Sequence, residues 1–170
     1  MASELAPLEA FERYGSLGPD FLTWLLVRVL DDDVPGIPSE PGLKLDVQGP
    51  LQFASEAGEA RKITLSGEEA ATAPEVISAL RQGKRLMRGK FLLTAVEDTW
   101  TFSLDGETFD LRSLKLPVPS IPDPESYLEA RIEATLRIYT LLDELFEVFL
   151  SVRLAPEVWQ EELQRRAKGI

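Results

Sequence analysis

Phe21, Leu22, Trp24, Leu25 and Leu30 set apolar side chains nearly all round a helix that opens at Gly18-Pro19-Asp20. Proline suits a first helical turn because its missing N–H needs no partner there, and Asp20 places negative charge at the positive end of the dipole. A helix apolar on every side belongs in a core. Asp31-Asp32-Asp33 closes it, since carboxylates are unfavourable at a helix C-terminus. Residues 1–17 show only a short helical pattern around 8–11 and read as loosely ordered.

The period then changes to two. Leu43, Leu45 and Val47 alternate with polar residues, Leu51 and Phe53 do so after Gly49-Pro50, and Ile63 and Leu65 follow Arg61-Lys62. Each run predicts a strand with one buried and one wet face. Thr72-Ala73-Pro74-Glu75 has the form of a capping box for a short helix carrying Val76, Ile77 and Leu80, with Gly83 as its stop. Strands follow at 85–96 and 100–104. Asp105-Gly106 is a hairpin signal, and a further strand spans 108–116 with Phe109 and Leu111 inward. Four prolines stiffen a linker over 117–124.

From 125 to 153 the apolar positions step by three or four along two tracks. Leu128, Ile132, Leu136 and Tyr139 form one; Ile138, Leu141, Leu145 and Val148 form the other. Pro156 opens a last helix with Val158, Trp159 and Leu163. Strand runs between helices predict an α+β fold: an antiparallel sheet of about six strands with a layer of helices, including one long C-terminal amphipathic helix. The expected organisation is a loose segment 1–17, an α+β region 18–116, the linker 117–124, and helices 125–170 packed on the same domain. Two apolar tracks exceed what one helix-on-sheet contact needs, so a homodimer or another protein partner is expected at the helices.

Composition narrows the chemistry. The 170 residues include no cysteine and no histidine. That excludes disulfides, thiol nucleophiles, a Ser-His-Asp triad and zinc sites built on Cys or His. The start of the chain has no export signal, and no apolar run is long enough to span a bilayer, so a cytoplasmic protein without a membrane partner is expected. Asp31-Asp32-Asp33, and Asp143 with Glu144 and Glu147, match no metal-binding spacing; the ordinary meaning of such groups is a solvated face. No catalytic residue, metal or cofactor is assigned.

The net charge of −11 argues against general affinity for nucleic acid, yet its distribution is uneven. Residues 61–90 hold seven basic and three acidic side chains, and no acid lies between Glu75 and Glu97. This island supplies the candidate nucleic-acid-binding residues Arg61, Lys62, Lys84, Arg85, Arg88 and Lys90. On a strand, Lys84, Arg88 and Lys90 share one face and Arg85 takes the other. The ordinary reading is neutralisation of an acidic surface; the functional one is phosphate contact, which confers no sequence preference.

Phe21-Leu22-Thr23-Trp24-Leu25, Arg61-Lys62-Ile63-Thr64-Leu65 and Leu80-Arg81-Gln82-Gly83-Lys84-Arg85-Leu86 stand in that order before Trp100-Thr101-Phe102-Ser103-Leu104-Asp105-Gly106 and Leu111-Arg112-Ser113-Leu114-Lys115-Leu116. This succession resembles the C-terminal half of RdgC, the recombination-associated DNA-binding protein of bacteria, over roughly residues 18–150. The resemblance implies a non-enzymatic, nucleoid-associated homodimer that encloses double-stranded DNA with little sequence preference. It sets Arg61 and Lys62 at a basic pair implicated in DNA contact and Lys84 at the family's Gly-Lys step. The family's N-terminal half has no counterpart here. Two further readings stay open: a protein–protein interaction or scaffold domain acting through the C-terminal helices, and a carboxylate-based enzyme supported only by the number of acids.

Overall fold

The structure, a computed structural model, describes residues 14–55, 63–67 and 70–168. Helix α1 (Gly18–Leu30) is followed by strands β1 (Lys44–Ala54) and β2 (Ile63–Leu65). Next come α2 (Pro74–Arg81), β3 (Arg85–Ala95), β4 (Asp98–Asp105), β5 (Leu111–Lys115), α3 (Pro124–Arg153) and α4 (Pro156–Lys168). The strands form one antiparallel sheet in the order β2-β1-β3-β4-β5. The expected α+β class and long C-terminal helix are therefore present. The short helix expected at 8–11 lies outside the described residues.

The sheet has five strands among the described residues rather than six, because the two runs flanking Gly49-Pro50 are one strand. β1 pairs with β3 from Lys44↔Thr94 to Gln48↔Lys90, slips, and resumes at Gln52↔Arg88. Pro50 sits inside that slip, where its missing N–H removes no ladder bond. The last strand is also shorter than expected. Asp105 Oδ1 accepts from the N–H groups of Glu107 (2.9 Å) and Thr108 (3.3 Å), and the Phe109 N–H donates to the Asp105 carbonyl at 2.7 Å. The turn so formed holds Phe109 at φ 60° and brings its ring within 5.9 Å of Phe21 and 5.6 Å of Phe146.

Helix α2 starts one residue beyond the expected cap. Its N-cap is Ala73, which offers no side-chain acceptor, and Pro74 fills the first turn. Its end follows expectation. Gly83 at φ 76° lets its own N–H reach the Leu80 carbonyl (3.1 Å) and the Lys84 N–H reach that of Ala79 (3.0 Å).

Alternate strand positions, among them Phe53, Leu86, Phe91, Phe102 and Leu104, are buried in one core with the helices. Helix α1 is buried from Gly18 to Val27. A Cβ on Gly18 would stand 1.8 Å from the Gly106 carbonyl oxygen, so only glycine lets the start of α1 lie on the loop after β4. Thr23 Oγ1 donates to the Pro19 carbonyl (2.7 Å) and accepts from the Leu86 N–H (2.8 Å), tying α1 to the start of β3.

At 30 residues, α3 is about 45 Å long. Its second half packs Phe146 and Phe149 against Phe21 at 5.1 and 5.4 Å, and Phe149 against Trp159 of α4 at 6.0 Å. Its first half meets the sheet where Trp100 Nε1–H donates to the Ala134 carbonyl at 3.0 Å. The two apolar tracks therefore part company. Ile138, Leu141 and Leu145 are buried and Val148 is half-buried, whereas Leu128, Ile132, Leu136 and Tyr139 are exposed.

Candidate nucleic-acid interface

The structure divides the basic island. Arg61 and Lys62 lie outside the described residues. Lys84 is not a strand residue: its N–H closes the end of α2, and its carbonyl accepts from Arg166 at 2.5 Å. Phe53 pairs with Leu86 while Gln52 pairs with Arg88, so one extra residue, Met87, bulges from β3. The bulge breaks the two-residue parity that would have put Lys84 on one face with Arg88 and Lys90. Arg85 turns toward α1, 3.7 Å from Asp20. Of the six candidates, Arg88 and Lys90 share a surface.

That surface is the second face of the sheet. Directly opposed residues of an antiparallel pair project to the same side. One row across the sheet reads Gln48, Lys90, Ser103, Arg112, and the next reads Asp46, Leu92, Thr101, Lys115. Lys44, Thr94 and Thr99 extend it, and Gln52, Arg88 and Asp105 close its other end. None of these residues is buried. Lys90 and Arg112 stand two strands apart, about 10 Å. Arg88 is held by Asp105 at 2.6 Å, and Arg112 has Asp110 at 4.0 Å. Lys44, Lys90 and Lys115 have no carboxylate within ion-pair distance among the described residues. Burial works to raise the Asp105 pKa, but the Arg88 bond and the N–H groups of Glu107 and Thr108 outweigh it and hold the carboxyl below its ordinary value.

Lys44, Arg112 and Lys115 were not singled out in sequence. Lys44 stands alone in β1, Arg112 and Lys115 stand in β5, and only strand register gathers them beside Lys90. The aromatic residues of these strands, Phe53, Phe91, Trp100 and Phe102, all face the core. The open face thus offers ammonium, guanidinium, hydroxyl and amide groups and, among the described residues, no ring on which a base could stack.

The acidic groups have other employment. Asp33 binds Arg28 at 2.6 Å and Arg165 at 3.3 Å, and Asp31 binds Arg165 at 3.2 Å. Glu144 accepts from the Ser39 N–H at 3.1 Å and from its hydroxyl. Asp143 is buried, and burial together with Glu147 and Glu144 raises its pKa to about 6. Among the described residues no three Cys, Asp or Glu side chains converge as a metal site, and no helix is long and apolar enough to cross a membrane.

No protein-family model matches the chain, and neither a curated protein nor a solved structure does.

Proposed function

We propose that this chain is a non-enzymatic, RdgC-like nucleic-acid-associated protein, cytoplasmic and nucleoid-bound, that holds duplex DNA by its phosphates with little sequence preference. The observation that carries this reading is the sheet face that no described helix covers, where Lys44, Lys90, Arg112 and Lys115 stand among Gln, Ser and Thr in a protein otherwise strongly acidic. Phosphate oxygens take bonds from these side-chain types without reading the bases. The absence of an exposed aromatic among the described residues of that face favours duplex over single strands, whose binding leans on base stacking.

Fluorescence anisotropy against a labelled duplex, across a salt series, tests it. Each phosphate contact contributes about 0.9 to the slope of log K on log salt. The variant Lys90→Ala/Arg112→Ala/Lys115→Ala is expected to lose up to about 3 from that slope. An unchanged slope removes the sheet face from the proposal, and no binding at low salt removes the DNA role.

A second reading has its own observation: Leu128, Ile132, Leu136 and Tyr139 are 46–58% exposed along one side of α3. Such a stripe suits association between proteins, with a second copy of this chain as the partner of the homodimer. Sedimentation of the protein and of its Ile132→Glu variant checks this. A dimer that the substitution dissolves supports it, and a 19.0 kDa species for both rejects it.

A further inference from the structure

Thr23, Trp24 and Val27 of α1 and Trp159, Glu162 and Leu163 of α4 line a small cavity between the two helices. Arg166 borders it as well, with its Nη2 engaged by the Lys84 carbonyl. The cavity leaves about 10 Å³ for the centre of a water molecule, which is room for one and for nothing larger. Glu162 is the one buried residue of α4 among the described residues, and Trp24 is 3% exposed. Arg28 Nη2 holds the Glu162 carboxylate by one oxygen, Oε1. The other oxygen, Oε2, is buried and accepts no hydrogen bond among the described residues. The Trp24 Nε1–H is likewise buried and donates none, while its ring is held among Phe21, Phe149 and the Arg28 guanidinium. One wall of the cavity thus carries a donor without an acceptor, and the other an acceptor without a donor. A buried polar group left unbonded gives up its hydration for nothing, so nearly all such groups in folded proteins find a partner, ordered water included.

We propose that this cavity is a binding site for one internal water molecule, which accepts from the Trp24 N–H and donates to Glu162 Oε2. Water is the ligand that size and chemistry select here, being small enough and donor and acceptor at once. Two bonds are the least that hold a buried water, and the one to a carboxylate is of the stronger, charge-assisted kind. The water joins α1 to α4 beside the Arg28–Glu162 and Arg165–Asp31 ion pairs. Charge and water therefore fasten this seam, whereas α1 meets α3 ring on ring. The site uses no residue of the sheet face, so it stands independently of the reading above.

Water-selected NOE and ROE spectra of the nitrogen-15-labelled full chain test the site. The chain has three tryptophans, and Trp24→Phe, which keeps a ring and removes the N–H, identifies the Trp24 signal by its loss. That N–H shows a cross-peak at the water frequency, of opposite sign in the two spectra. Opposite signs set a held water apart from passing solvent and from proton exchange. The Thr23 hydroxyl lies at the same cavity and can relay magnetisation from solvent. Glu162→Met separates the two sources, because it removes the acceptor and leaves Thr23 in place: a water's cross-peak is lost and a relayed one persists. Oxygen-17 relaxation dispersion sees water and no hydroxyl, and it serves where Glu162→Met does not fold. Its amplitude falls by the contribution of one water from the unaltered protein to Trp24→Phe. A resolved Trp24 N–H without the cross-peak, as a direct bond to Glu162 would give, overturns the site. So does a cross-peak that persists in Glu162→Met, or an oxygen-17 amplitude unchanged in Trp24→Phe.

Discussion

The two halves of α3 are made of the same residue types at the same spacing, and they meet opposite fates. Ile138, Leu141, Leu142, Leu145, Phe146 and Phe149 are buried, whereas Leu128, Ile132, Leu136 and Tyr139 stand in solvent. At 100° per residue, the exposed four fall within an arc of about 80°, turned roughly 100° from the centre of the buried set. The helix does not change; its surroundings do. Beyond residue 138 it runs over Phe21 and Trp24 of α1, Phe109 and Trp159, which wrap it closely. Before that point its Ala130 and Ala134 side faces the edge of β4 and the stretch 117–119, and the opposite side has no neighbour among the described residues. Apolar spacing reveals that a helix has a face to cover. What covers it is decided by elements far away in sequence.

The largest expected effect tests this contrast directly. Phe149→Ala removes a ring in contact with Phe21, Trp24, Phe146 and Trp159, and should cost about 3–5 kcal/mol of stability. Leu136→Ala, at 54% exposure, should stay within about 0.5 kcal/mol in dilute solution. Denaturant melts of the two variants give both numbers. Comparable losses would mean that the first half is as tightly packed as the second.

Much of the fold was legible because local rules agree with one another. The start of α1, the Gly83 stop and the alternation in β3 and β4 each follow from residues within one or two turns. The misjudged places are those where a distant contact decides. The Pro50 slip is set by the register of β3. Phe109 leaves the strand because its ring is taken into the cluster around Phe21 and Phe146. The same division governs the site. The basic island was visible as a composition shift, but the bulge at Met87 takes the residues before it out of step with Arg88 and Lys90, and Arg85 stands 3.7 Å from Asp20 of α1. Arg112 and Lys115 join them only through β4. Nothing in the neighbourhood of those residues announces such pairings.

A smaller effect belongs to the junction of the two halves, where Asp143 is buried in the second half's packing. Its carboxyl, raised to about 6 by burial, Glu147 and Glu144, holds a proton more readily folded than unfolded, where the ordinary value is 3.8. The folded protein therefore binds more protons between these values. The resulting stabilisation is complete below about pH 4 and is lost as pH rises through about 6. Asp143→Asn, which removes the buried charge, should add about 1 kcal/mol at pH 7 after solvent screening and nothing at pH 3.5. Melts of both proteins between pH 3.5 and 7 give the difference, and a constant gap would show that burial of this charge is not what sets it.

The smallest effect lies at the far end of the exposed half. Asp123 caps α3: its Oδ2 accepts from the Ser126 N–H at 3.1 Å and from the Ser126 hydroxyl at 2.7 Å. The hydroxyl and then the backbone bond hold this carboxyl below its ordinary pKa. The cap is therefore at full strength above the ordinary value of 3.8 and weakens as pH falls through the lowered one. The first turns of α3 touch the sheet mainly through the Trp100–Ala134 bond, ten residues further on. Fraying there has little packing to resist it and little to disturb. Asp123→Ala should accordingly speed amide exchange over residues 125–129 and leave the melting temperature of the core in place. Asp123→Asn, which keeps an acceptor without the charge, should restore most of the protection and make it independent of pH in the acid range. Exchange that quickens instead along the whole helix to Phe149 would show that the two halves open together, and that the exposed stripe is part of the folding unit that the aromatic cluster defines.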